Sequence, residues 1–270
     1  MRTDKSKTGF TLVELLTVVS VMLLLAVLGL PAAKQVLDSF ESSLSVRHLI
    51  SSALGNARAI AARQQAYTGI RFQQDLAGNQ YMIFIINDPA PSPSAADLAN
   101  DPTLTGTGLA NGFRRVTGHK PIKLPENVGV MDCKRADDDI NEDWELTDAT
   151  TFSIVFSSPV GKLVVHDVRV RNKDGYVDSS ANEDTSTDQI FNKKDKVDTG
   201  EAMFYQDDYT GETWSAYPNL GLGEELSRNS FIIYDKRRLE AVATDSRWTD
   251  YLQYLEVLYI SPYTGRIINK

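Results

Sequence analysis

Residues 9–15 read Gly9-Phe10-Thr11-Leu12-Val13-Glu14-Leu15, and the apolar run they open continues as FTLVELLTVVSVMLLLAVLGLPAA over 10–33. After Glu14 the next charged residue is Lys34. The uncharged stretch between them has about the length of a helix that crosses a bilayer core. Before it, residues 1–9 carry Arg2, Lys5 and Lys7 against Asp4. A basic flank before an apolar span predicts a cytoplasmic N-terminus, with the rest of the chain outside. A cleavable secretory signal is the competitor, but its apolar core is shorter. Glu14 does not fit a plain anchor: either it is a carboxylate inside the span, which is costly and ordinarily has a partner, or it sits at the interface in the first turn of the helix, where the dipole tolerates an acid.

Beyond this stretch the pattern changes twice. Over 34–66, Leu37, Phe40, Leu44, Val46, Leu49, Ala53, Ala57 and Ile60 recur at spacings of three and four, with no proline. That is an amphipathic helix. Joined to the first run it gives a long helix from Phe10 to Ala66, with Gly29 and Pro31 as the expected bend. From residue 67 onward the chain reads as strands rich in Ile, Val, Tyr and Phe: Tyr67–Gln73, Gln80–Asn87, Phe152–Phe156, Lys162–Arg171, Ser230–Tyr234, Leu252–Ser261 and Arg266–Asn269. Antiparallel pairing is expected, since the joining pieces lack helical crossovers. Asp88–Gly112, Asp132–Asp148 and Asn172–Gly200 read as polar loop insertions. The domain layout is therefore 1–9, 10–33, 34–66 and a β-rich head over 67–270.

Composition sets limits on function. The 270 residues include 28 basic and 36 acidic side chains, a net charge of −8. That argues against a nucleic-acid binder working through a broad basic surface. One cysteine, Cys133, excludes a disulfide framework, and three histidines leave little for a histidine-rich metal centre. No metalloprotease, nucleophile-elbow, Walker or dinucleotide-binding motif occurs. Asp137-Asp138-Asp139 reads as a solvated acidic loop, with a catalytic or calcium-binding cluster as the sharper alternative. Asn172-Lys173-Asp174-Gly175-Tyr176-Val177-Asp178 resembles the middle of a calcium loop. Val170 and Ala181 occupy its first and twelfth ligand positions, however, so an Asp-Gly turn is favoured. His166 reads as a strand residue and Lys236-Arg237-Arg238 as a solvated turn. Tyr205, Tyr209, Trp214 and Tyr217 read as an aromatic loop on the sheet or a partner contact. No enzyme activity and no cofactor are expected.

The string Gly9–Leu15 resembles the processing site of type IV prepilins and type II secretion pseudopilins. The resemblance implies a leader of residues 1–9, cleavage by a prepilin peptidase between Gly9 and Phe10, and N-methylation of Phe10. Glu14 then stands at the fifth mature position and Pro31 at the twenty-second. Cleavage creates a positive amine at Phe10. Four residues away on the same helix face, Glu14 can neutralise that amine or a neighbouring subunit's. Four shorter strings resemble H-type minor pseudopilins and related minor pilins: Asn56–Arg63, Arg114-Arg115-Val116 with Ile122–Pro125, Phe156–Lys162 and Ile260–Ile267.

The implied fold class is α+β and pilin-like: a long N-terminal helix, membrane-spanning in its first half, packed on an antiparallel β head. The implied function is a minor pilin or pseudopilin, a structural subunit of a type IV pilus or type II secretion pseudopilus. The alternatives are a membrane-tethered binding protein or enzyme and a DNA-uptake minor pilin. The implied location is the bacterial inner membrane, in a single pass, then the pilus or pseudopilus. The implied partners are prepilin peptidase, other pilin or pseudopilin subunits, the inner-membrane assembly platform and membrane lipid. Nucleic acid is not expected, because losing the +2 leader takes the charge from −8 to −10.

Overall fold

The computed structural model describes residues 12–132, 140, 143–174, 186–207 and 223–268. The chain divides into two compact units, Met1–Ser42 and Ser43–Lys270. Helix α1 (Leu12–Gln64) contributes to both. The helix stops at Gln65, whose positive φ of 55° takes the backbone out of the helical region just before a strand.

In the second unit two sheets share one core. The first has the order β11 (Glu225–Leu226), β8 (Asp167–Val170), β3 (Gly112–Arg115), β2 (Gln80–Asn87), β1 (Thr68–Gln74), β6 (Phe152–Phe156), β7 (Leu163–Val164), with β4 (Ile122–Lys123) pairing β2. The second has the order β14 (Ile267–Ile268), β13 (Val257–Ile260), β12 (Ser230–Asp235), β5 (Val128–Met131). β9 (Phe191–Asn192) and β10 (Phe204–Tyr205) form a small separate pair. Short helices stand between strands: α2 (Ala95–Asn100), α3 (Asp143–Thr150), α4 (Lys194–Asp198), α5 (Lys236–Ala241) and α6 (Arg247–Asp250).

Strand alternation sorts side chains between layers. In β1, Ile70 and Phe72 enter the shared core, while Arg71 and Gln73 take the opposite face. In β2, Met82, Phe84 and Ile86 go inward, and Ile83 and Ile85 go outward to a second cluster. The second sheet sends Val128, Val130, Phe231, Leu258 and Ile260 into the same core. Onto both inner faces α1 lays Val46, Ile50, Ala53, Leu54, Ala57, Ile60 and Ala61, all buried. That three-and-four spacing forms one stripe, whose burial removes a large apolar area from water. The outer face of the first sheet is closed by Phe191 and Phe204 from the 186–207 segment. The outer face of the second is closed by Ala149, Leu239 and Leu252.

Two expectations need correction. The first is the fold class. The head is not the purely antiparallel β unit expected of an α+β, pilin-like chain: β3 and β8 run parallel, as do β9 and β10. With short helices interleaved, the architecture is mixed α/β with a curled sheet. Between β3 and β8 the chain passes through β4, β5, α3, β6 and β7, so the parallel pair comes from a long return path rather than from a single strand–helix–strand unit. The second is the location. Among the described residues no helix is long and apolar enough to cross a membrane, against the expected single pass with a cytoplasmic N-terminus. Gly29 and Pro31, the expected bend, lie within the helical span of α1.

Candidate functional site

Gly9 and Phe10, the expected processing site, lie outside the described residues. Glu14 lies in the helical backbone of α1, and its side chain is outside them. The described side chains around it form an apolar surface without cover from this chain. Leu12 is 82% exposed, Leu16 61% and Met22 65%, and Val18, Val19 and Val21 are also exposed. At 100° per residue, Leu16, Val18, Val19, Val21 and Met22 spread over about 220° of the helix circumference, with Thr17 and Ser20 in the remaining sector. Ser20 Oγ donates to the Leu16 carbonyl at 2.8 Å, so its hydroxyl is satisfied within the helix. An apolar sector this wide is ordinarily covered by another surface.

The head carries a second concentration of function-bearing residues, which the sequence reading did not single out. On the outer face of β1, Arg71 donates through Nε to Gln73 Oε1 at 2.7 Å and pairs with Asp207 at 3.0 Å. Asp207 also accepts from the Val170 backbone N–H at 2.7 Å, and Arg171 donates to the Asp207 carbonyl at 2.6 Å. Gln73 Nε2 donates to the Tyr205 carbonyl at 2.9 Å. Nearby, Asp188 takes Arg115 Nε at 2.9 Å and the Lys173 N–H at 2.8 Å. These groups are buried, apart from partly exposed Arg115 and Lys173. Burial pushes the Asp207 carboxyl above its ordinary range, against the opposing charges of Arg71, Arg169 and Arg171. Asp188 is raised by the same cause. The network fixes the 186–207 segment on the sheet. A signal was present, since Arg71 interrupts the strand TGIRFQQ. Its partner lies 136 residues away and no local pattern indicates it.

The remaining sequence candidates separate. The His166 ring sits 4.5 Å from Tyr67 and 5.7 Å from Phe113, as a packing residue. Lys236-Arg237-Arg238 forms the first turn of α5, and the Asp235 carboxylate caps it by accepting the Arg237 and Arg238 N–H groups. Tyr205 is buried and donates its hydroxyl to Asp198 at 2.8 Å. Asp174 accepts from Ser186 Oγ at 2.6 Å. Cys133, Asp137, Asp138, Asp139, Gly175, Asp178, Tyr209, Trp214 and Tyr217 lie outside the described residues. Among the described residues no group of three His, Cys, Asp or Glu side chains is placed to hold a metal ion.

Compared with known families, curated proteins and solved structures, the chain matches no family model, no curated protein and no solved structure.

Proposed function

We propose that this chain is a minor pilin or pseudopilin: a structural subunit of a type IV pilus or type II secretion pseudopilus, processed between Gly9 and Phe10. The observation that carries the reading is the string Gly9-Phe10-Thr11-Leu12-Val13-Glu14, in register with a basic leader before it and an apolar run after it. The exposed apolar side chains from Leu12 to Met22 support it, because such a helix is completed by other helices of the same kind. Prepilin peptidase, sibling subunits and their assembly platform are the partners. Within the assembly, Glu14 neutralises the Phe10 amine, its own or a neighbour's, since an ionised amine buried among apolar helices is costly when unpaired.

The test is incorporation. Filaments or pseudopili sheared from cells are to contain the chain when the peptidase is present and to lack it when the peptidase is deleted. Glu14→Gln lowers its share of the filament fraction severalfold, and Glu14→Asp restores part of it. A chain absent from the filament fraction of peptidase-positive cells contradicts the proposal.

A further inference from the structure

Two segments more than 100 residues apart close with the same turn. In 157–162 (SSPVGK), the Ser157 N–H donates to the Lys162 carbonyl at 2.8 Å and the Gly161 N–H to the Ser157 carbonyl at 2.8 Å. In 261–266 (SPYTGR), the Ser261 N–H donates to the Arg266 carbonyl at 2.8 Å and the Gly265 N–H to the Ser261 carbonyl at 2.9 Å. Both glycines take the left-handed conformation, at φ 67° and 66°, which favours glycine in each turn. Each turn ends in a cation.

The structure sets these turns side by side. Leu163 donates its N–H to the Pro262 carbonyl at 2.9 Å, and Lys162 Nζ stands 5.6 Å over the Tyr263 ring. Arg58 of α1 holds both turns, donating from Nε to the Gly161 carbonyl at 2.9 Å and from a terminal nitrogen to the Thr264 carbonyl at 3.2 Å. A Cβ on Gly161 would stand 2.5 Å from Arg58 Cγ, so the clamp also depends on glycine there.

The resulting face has two marked properties. The first is apolar exposure: Val160 is 71% exposed and Tyr263 72%, one on each turn. The second is charge. Residues 57–67, 157–166 and 260–268 contain Arg58, Arg63, Lys162 and Arg266 and no Asp or Glu. Removing those four from 28 basic residues leaves 24 against 36 acidic residues, a net of −12 for the rest of the chain. Among the described residues none of the four has a carboxylate partner.

We infer that this twin-turn face is a docking surface for the acidic surface of a second copy of this chain. Tyr263 and Val160 are the apolar anchors, and Lys162 and Arg266 supply the charge complement. An exposed tyrosine braced on a rigid turn is a common interface anchor. Opposite charge on the two surfaces steers their encounter and sets register. A polyanion such as DNA fits less well: four cations neutralise few phosphates, and the −12 remainder repels the duplex. The inference does not require the pilin reading.

The test uses the full chain with a photocrosslinking amino acid in place of Val160, in a mixture of isotope-labelled and unlabelled copies with duplex DNA added. Irradiation is expected to join labelled to unlabelled chains, with the crosslink mapping to an acid-bearing segment of the second copy. The yield falls about tenfold in Lys162→Glu/Arg266→Glu and also falls in high salt. Tyr263→Thr, which leaves every charge in place, lowers it too. All three changed side chains are exposed, so an unchanged circular dichroism melt shows that the loss is not unfolding. Crosslinks confined to one chain, crosslinks to the DNA, or a yield unaffected by charge reversal overturn the inference. The N-terminal mass of the same sample reports processing separately, so failure of one reading does not stand for failure of the other.

Discussion

Two stretches of the same helix differ in how their apolar side chains are completed. Between Val46 and Ala61 the apolar residues form a stripe, and two sheets of the same chain bury it. Between Leu12 and Met22 they spread over more than half of the helix circumference, and every described one is exposed. The first stretch is finished by the fold. The second is exposed in its described side chains. The contrast is one of pattern: a narrow stripe fits one partner surface, whereas a wider apolar sector needs more cover than one surface gives.

The largest stability effect belongs inside the head, where burial is complete. Asp207→Ala leaves the buried Arg71 without its carboxylate partner and the Val170 N–H without its acceptor, and should cost about 3–5 kcal/mol, read by denaturant unfolding of the full chain. Next, Leu54→Ala in the buried stripe should cost about 2–5 kcal/mol by the same measurement. If it costs nothing, the helix does not complete the head's core and the contrast fails.

A pH series sharpens the picture further. Burial raises the folded pKa of Asp207 and of Asp188 above the unfolded value, so the folded state holds protons that the unfolded state releases. Their contribution is fully present below the unfolded carboxylate range. It is lost as pH rises through the raised values. Unfolding midpoints should therefore decline across that window, and the decline should be shallower in Asp188→Asn. An increase in stability across the window attributable to these two groups contradicts the assignment.

The smallest stability effect is expected in the exposed stretch. Leu16→Ala and Val19→Ala should move the head's unfolding by no more than about 0.5 kcal/mol, yet lower recovery of the chain in sheared filaments. A stability loss comparable to that of Leu54→Ala would show that this stretch packs within its own chain after all.

How much of this was legible depends on the range of the interactions involved. Gln80–Asn87 and Phe152–Phe156 are strands with the bounds read from sequence, because long runs of Ile, Phe and Val leave little choice. The run Lys162–Arg171 is two short strands, with Val165 and His166 between them, and Leu252–Tyr254 is a 3-10 turn at the start of an expected strand. Val128–Met131 went unread, since four residues containing a glycine carry too weak a pattern. The parallel β3–β8 pair was invisible because strand direction is set by the route between them. Arg71 was visible as an anomaly, but Asp207 was not, and the twin turns read as ordinary turn chemistry until Arg58 joined them. Gly9, Phe10 and Glu14 stood out because their spacing is local, and they remain the residues on which the functional proposal rests.

The most direct measurement is the mass of the mature N-terminus, from the chain isolated out of cells that contain prepilin peptidase. The account predicts a chain that begins at Phe10 and carries one added methyl group on its amine, and it predicts that Gly9→Leu leaves the leader attached because a bulky side chain obstructs the peptidase cleft. An intact Met1 in the unsubstituted chain, or a start after Ala33, would contradict it.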